Sequence, residues 1–235
     1  MTDTNKITIL HFSDVLCIWA YLSQIRIDEL KKKFGKDIEL QYHFIQVFGS
    51  VEQKIHQDWN HQGGFTAYSQ HVIEVASKFE HVDIHPEIWT RNIPASSAGC
   101  HLFLKAIQLW EEHEQPLKDA KSGDNRISVF EKAVWELRLA FFRDLVNVSE
   151  LKAQMEIAKR LDLPIQKIQD HIESGAAFAA LDLDLQLKEK YRVIGSPTLI
   201  FNEGRQILYG NVGYRIIEAN IQELLSNKEG QASWC

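Results

Sequence analysis

From about Phe65 to Tyr191 the sequence offers almost no stretch that alternates like a strand, whereas both flanks do. That asymmetry constrains the fold most: a sheet must be built from the two ends of the chain, around a long helical block. At the N-terminal end, "KITILHF" (6–12) is rich in β-branched and aromatic residues and reads as a buried strand. Apolar residues then recur at Ile18, Tyr21, Leu22, Ile25, Ile27, Leu30 and Phe34, roughly at helical spacing. Lys31–Lys33 near the end and Gly35 after it suit a helix C-terminus. "IELQYHFIQV" (38–47) alternates as a second strand. Strand, helix and strand predict a βαβ unit, with Cys17 at the first strand-to-helix turn.

The middle reads as successive helices. "SSAGCHLFLKAIQLWEEHE" (96–114) is amphipathic and follows Pro94 and candidate Ser caps; 127–145 is a second helix, after the turn-like "KSGDN". Segments 149–163, 164–174 and 176–191 complete the block, divided by Pro164 and Gly175. "SPTLIFN" (196–202) and "RQILYG" (205–210) then read as short strands joined by "NEG", followed by a helix over 214–225 and a polar tail. The expected class is therefore α/β. The expected division is a sheet-bearing domain from 1–64 and 192–226, a helical insertion over 65–191, and a flexible tail over 227–235.

The composition is that of an ordinary globular protein, 45% hydrophobic and 25% charged over 235 residues. A net charge of −6 with no basic block argues against nucleic acid. No run of eighteen apolar residues predicts a membrane span, and the N-terminus does not resemble a secretory signal. Cys17, Cys100 and Cys235 are odd in number and far apart, which favours a reduced, cytoplasmic chain over a disulfide framework. His71, His81 and His85 match no zinc spacing, so no metal is expected.

"FSDVLCIWAYLSQ" (12–24) resembles the active-site segment of the DsbA-like branch of thioredoxin-fold proteins, where a D-x-x-C-x-W core opens the first helix. "RVIGSPTLIFN" (192–202) resembles the branch's cis-proline segment, and the resemblance covers nearly the whole chain in order. The chain is most similar to the FrnE-like oxidoreductases, 2-hydroxychromene-2-carboxylate isomerases and kappa-class glutathione transferases. It implies a thioredoxin-like fold with a large all-helical insertion, and a cis bond at Pro197 that turns Ser196 outward. In such proteins that edge pairs with an extended peptide or with the cysteinyl part of glutathione.

Cys17 is the expected nucleophile. At a helix N-terminus, unpaired N–H groups and the positive end of the dipole favour the thiolate and lower the thiol pKa. The alternative is a small buried apolar side chain, as many free cysteines are. A dithiol site would place its second sulfur at position 20, where this chain has Ala20. No internal disulfide can form there, so an ordinary dithiol oxidant is excluded. Two options stay open. Cys17 could hold a mixed disulfide with glutathione or a protein thiol, resolved from outside. Or it could contact a bound glutathione sulfur, as a serine at the matching position does in the isomerase and kappa-transferase relatives. A fold kept only for binding is a third.

Around Cys17, Trp19 would cover one side. Asn211 and Arg215, beside Gly213 at the start of the last helix, could hold a carboxylate of glutathione. In the relatives the start of the insertion helix faces the thiol, which makes Asn92, Ser96 and Ser97 further candidates, with N-capping as the alternative. Trp59, "QGGF" (62–65) and Trp89 line a cleft or belong to the core. Cys100 is expected to be packed in a helix, while Cys235 lies on the tail. No tightly bound cofactor is expected; glutathione is a candidate co-substrate whose use the sequence leaves open, and a homodimer is compatible with the sequence.

Overall fold

A computed structural model describes residues 6–114 and 127–226. The "KSGDN" turn, the tail and Cys235 lie outside the described residues. The N-terminal unit is β1 (Ile7–Ser13), α1 (Ile18–Phe34) and β2 (Ile38–Phe44), with β1 and β2 parallel and Ile7 opposite Ile38. β3 (Thr198–Phe201) and β4 (Gln206–Tyr209) return to the same sheet. β3 runs antiparallel to β1, and β4 antiparallel to β3, giving the order β2-β1-β3-β4. α9 (Tyr214–Ser226) closes the described chain.

Both sheet faces are covered, as strands lacking a polar side require. Ile9, Ile27, Leu30, Phe34, Leu199, Phe201, Ile217 and Ile221 cluster under α1 and α9, while Phe12, Ile45, Val193 and Ile200 form the opposite core. Ile9 and Phe12, both 0% exposed, are neighbours in this division because successive strand residues point to opposite faces. Each such side chain contributes about 1.5–3 kcal/mol of burial.

The expected strand over 38–47 is shorter in the structure. After Phe44 the chain bends, with Ile45 N–H donating to Ser13 O at 3.1 Å, and leaves the ladder. Two helices went unrecognised in the sequence, α2 (Val51–Trp59) and α3 (Gly64–Ala76). α2 buries only Val51 and Ile55, so its apolar stripe is thin. Gly63 and Gly64, with φ of 113° and 62°, make the sharp entry into α3.

The insertion is built on α4 (Ala98–Glu114), against which α5 (Val129–Phe142), α6 (Leu151–Arg160), α7 (Ile165–Glu173) and α8 (Ala176–Lys190) pack. α5 starts on a complete capping box, Ser128 Oγ accepting from Glu131 N–H and Glu131 accepting from Ser128 N–H. Glu131 also takes Lys31 from α1 and the Tyr42 hydroxyl from β2, each at 2.5 Å. Tyr21 of α1 stacks on Phe142 of α5 with centroids 4.8 Å apart. On the other sheet face, Asp184 of α8 accepts from Phe44 N–H at 2.7 Å and lies 2.8 Å from Lys105 Nζ of α4. Sheet and insertion thus share one continuous core, running from Cys17 to Leu181.

Candidate functional site

The sheet register builds the site. Phe12 pairs with Thr198, and the same antiparallel register carried two residues further sets Asp14 opposite Ser196. There Asp14 N–H donates to Ser196 Oγ at 2.9 Å. The Ser196–Pro197 peptide bond is cis. Gly195 lets Tyr209 approach closely: a Cβ there would lie 2.7 Å from the Tyr209 ring, which would have to shift. Cys17 N–H donates back to Asp14 O at 3.1 Å, which closes the turn, and Cys17 O accepts from Tyr21 N–H as the first bond of α1. Cys17 is thus the N-cap residue of α1, in extended conformation (φ −80°, ψ 118°). Its Sγ donates to Ser196 O at 3.2 Å.

Asp14 is the hub beneath the thiol. It is fully buried, with Oδ1 accepting from Leu16 N–H at 2.9 Å and Oδ2 accepting from Phe48 N–H and Ser97 Oγ, both at 2.8 Å. One carboxylate therefore ties together the β1–α1 turn, the chain after β2 and the entry to α4. Burial pushes its pKa up, but the neighbouring His101 and the N–H donors outweigh that and hold the carboxyl below its ordinary value. His101, also fully buried, accepts from Val15 N–H at Nε2 at 3.2 Å and lies 3.6 Å from Asp14 Oδ1. Its Nδ1 has no partner among the described residues.

The expected lowering of the Cys17 pKa is not what the structure gives. The thiol is only 5% exposed, and burial pushes its pKa up. Contact with Ser196 and the N–H groups of Ala20 and Trp19 pull it back, while the Asp14 charge adds to the rise. The helix N-terminus acts in the expected direction, but desolvation wins.

The other candidates divide. Ser97 belongs to the Asp14 hub. Ser97 is also the N-cap residue of α4, its carbonyl accepting from His101 N–H, and Ser96 Oγ accepts from Ala98 N–H at 3.0 Å in the turn before it. Asn92, expected to face the thiol, sits at φ 49° and donates to Leu145 O at 3.0 Å, so it anchors the loop before α4. Trp19 is half-buried against the core. Asn211 follows β4 and accepts from Arg26 of α1 at 2.5 Å, with Arg215 exposed on the first turn of α9. Trp89 is a core aromatic, fully buried against Phe48 and Phe141, while Trp59 is partly buried and packs on the edge of that core against Tyr68 and His71. Cys100 is buried, its Sγ donating to Val148 O at 3.0 Å, and burial pushes its pKa far up. The histidines separate as well: His81 meets Leu22 O, His85 accepts from Glu87 N–H, and His71 packs on Trp59.

Three residues were not singled out from the sequence. Arg138 of α5, 1% exposed, donates to Gln24 of α1 at 2.8 Å and Ser13 of β1 at 3.3 Å, with no carboxylate partner among the described residues. Burial lowers its pKa to about 10. His11 of β1 is buried with neither ring nitrogen hydrogen-bonded, and its pKa falls to about 3, through burial first and then Arg138 and His43. Tyr68 of α3 is walled by Trp59 and Trp89, with centroids 5.2 and 5.3 Å away. Nothing in sequence spacing connects these positions to Cys17. An arginine inside an amphipathic helix was the one available signal.

The DSBA-like thioredoxin domain family matches residues 8–222. The chain belongs to that family. Its fold is also that of solved proteins with few identical residues. A putative protein disulfide isomerase from Nitrosomonas europaea superposes with a TM-score of 0.68 at 14% identity, over 96% of this chain and 100% of that one. The cytosolic disulfide reductase DsbM from Pseudomonas aeruginosa gives 0.61 at 14% identity, over 92% and 98%, and has also been solved with glutathione. A 2-hydroxychromene-2-carboxylate isomerase gives 0.61 at 12% identity, over 96% and 100%. No curated protein matches the chain in sequence. Among the described residues, no helix is long and apolar enough to cross a membrane.

Proposed function

We propose that this protein is a monothiol member of the DsbA-like thiol–disulfide oxidoreductases, working through a mixed disulfide at Cys17. The observation that carries this reading is the Cys17 Sγ at the start of α1, 3.2 Å from the Ser196 carbonyl. That carbonyl edge, followed by Pro197, is where the backbone of an extended substrate would dock. In the exchange, Cys17 gives up its proton and its bond to Ser196 O, then attacks a substrate disulfide. One substrate sulfur stays on Cys17 and the other leaves as a thiolate.

Ala20, fully buried, offers no sulfur for an internal disulfide, and Cys100 is held in the core by Val148. Taking Cys235 of the tail to be a bystander, resolution falls to an external thiol, for which glutathione is the natural co-substrate in a reducing cytoplasm. Asn211 and Arg215 are the residues proposed to meet its carboxylates. No tightly bound cofactor is part of this reading.

One observation favours a second reading. A buried thiol whose pKa is pushed up stays neutral and acts as a donor. Such a group could hydrogen-bond the sulfur of a bound glutathione, in a transferase or isomerase acting on small electrophiles. Incubation with glutathione disulfide, followed by intact mass, separates the two. The thiol–disulfide reading predicts one glutathione adduct, lost in Cys17→Ser. Tight binding of reduced glutathione with no adduct would replace it by the second.

A further inference from the structure

β1 carries a histidine on an otherwise apolar face of the sheet. His11 and Ile9 are two residues apart on one strand, so both point toward the core under α1 and α9. His11 is 1% exposed, and neither ring nitrogen has a hydrogen-bond partner among the described residues. Tyr42 meets the ring edge-on at 5.5 Å between centroids, but its hydroxyl donates to Glu131 instead. Burying an imidazole without a partner costs its full desolvation. A small cavity opens at this ring. His11, Ser23, Pro197, Leu199, Gly210 and Ile217 are on its wall, and its volume of about 10 Å³ is room for one water. Two further polar groups are on that wall. Ser23 Oγ donates to Ala20 O at 3.1 Å, which leaves its lone pairs able to accept. Gly210 O accepts from Val212 N–H at 2.9 Å and has a second lone pair. A wholly apolar cavity stays dry, whereas one with two to four polar partners is what a structural water needs.

We propose that this cavity is a binding site for a single water molecule, held by the His11 ring together with Ser23 Oγ or Gly210 O. A neutral imidazole offers one N–H donor and one bare nitrogen, and water can meet either of them. Burial keeps His11 neutral, with its pKa lowered to about 3, so the ring presents the same two groups at any ordinary pH. The site does not depend on how Cys17 reacts. Its place is nonetheless close to the candidate site in the fold: Pro197 is on the cavity wall, and the carbonyl just before Pro197 is the one that the thiol meets. The water packs behind the turn that presents the Ser196 carbonyl.

A crystal structure of the whole chain that orders its solvent tests this, alongside one of His11→Phe, which keeps a ring and removes both nitrogens. The expected result is one water in the parent, within about 3.2 Å of a His11 ring nitrogen and of Ser23 Oγ or Gly210 O. That water is lost in His11→Phe. Well-defined side chains around the ring with no such water overturn the proposal. So does a water at the same place in His11→Phe, which would mean that other groups hold it. If His11→Phe does not fold, the parent protein decides alone, with a second measurement in solution. Nuclear Overhauser contacts between water and the carbon-bound protons of the His11 ring are expected, and their absence overturns the proposal.

Discussion

At residue scale, the site is decided by two neighbours of Cys17 that carry no sulfur. In the proposed reading Ala20 sets the redox type, and replacing it tests that directly. Ala20→Cys puts a thiol one helical turn from Cys17, at the cost of some overpacking in a fully buried position. Its mixed disulfide with glutathione should collapse to an internal disulfide and release glutathione, which intact mass would show as loss of the adduct. Asp14 sets the electrostatics. Asp14→Asn replaces one acceptor oxygen by an NH2 that faces the N–H and O–H donors of the hub, so it should cost about 2–4 kcal/mol in denaturant unfolding. Because the Asp14 charge raises the Cys17 pKa, the same substitution should move the pH midpoint of Cys17 alkylation downward. An upward shift would mean that Asp14 supports the thiolate.

At the scale of elements, the βαβ start, the helical block and the returning β-hairpin were legible because each has a clear period or a clear stop. α1 has the bounds its apolar spacing predicts, Ile18 to Phe34. α2 and α3 were not legible, since one has a thin apolar stripe and the other begins on two glycines. The helical insert was readable as helices, but its contribution to the site was not: Arg138 and His101 are brought near Cys17 only by tertiary packing. Ser97 and Ser96, adjacent in sequence, have different fates: Ser97 binds Asp14 in the hub, whereas Ser96 only closes the turn onto Ala98. α5 tests the seam between the two parts. Ser128→Ala removes half of the capping box and should lower stability by about 1 kcal/mol in chemical denaturation. A Glu131→Gln change should cost more, since it also weakens the contacts to Lys31 and Tyr42.

At the scale of the whole molecule, the fold carries buried ionisable groups that make stability depend on pH. His11 is kept neutral in the folded state, with its pKa lowered to about 3 from an ordinary value near 6.5. The unfolded chain therefore binds the proton that the folded chain refuses. The stabilisation is present above about pH 6.5 and is lost as pH falls from there toward about 3, by a few kcal/mol in all. His11→Phe should flatten the stability curve across that window, measured by urea unfolding at a series of pH values. A slope unchanged by the substitution would place the acid sensitivity elsewhere. Asp14, with its lowered pKa, adds a further loss only below the ordinary carboxylate range.

The central claim, a working thiol whose resolving partner lies outside the molecule, is tested most directly by the lifetime of its intermediate. After reaction with glutathione disulfide and removal of the excess, the mass of the protein is followed over time, without and then with reduced glutathione. The account predicts a Cys17–glutathione disulfide that persists alone and is discharged on adding the thiol. An adduct that discharges unaided into an internal disulfide, or one that never forms, would contradict it.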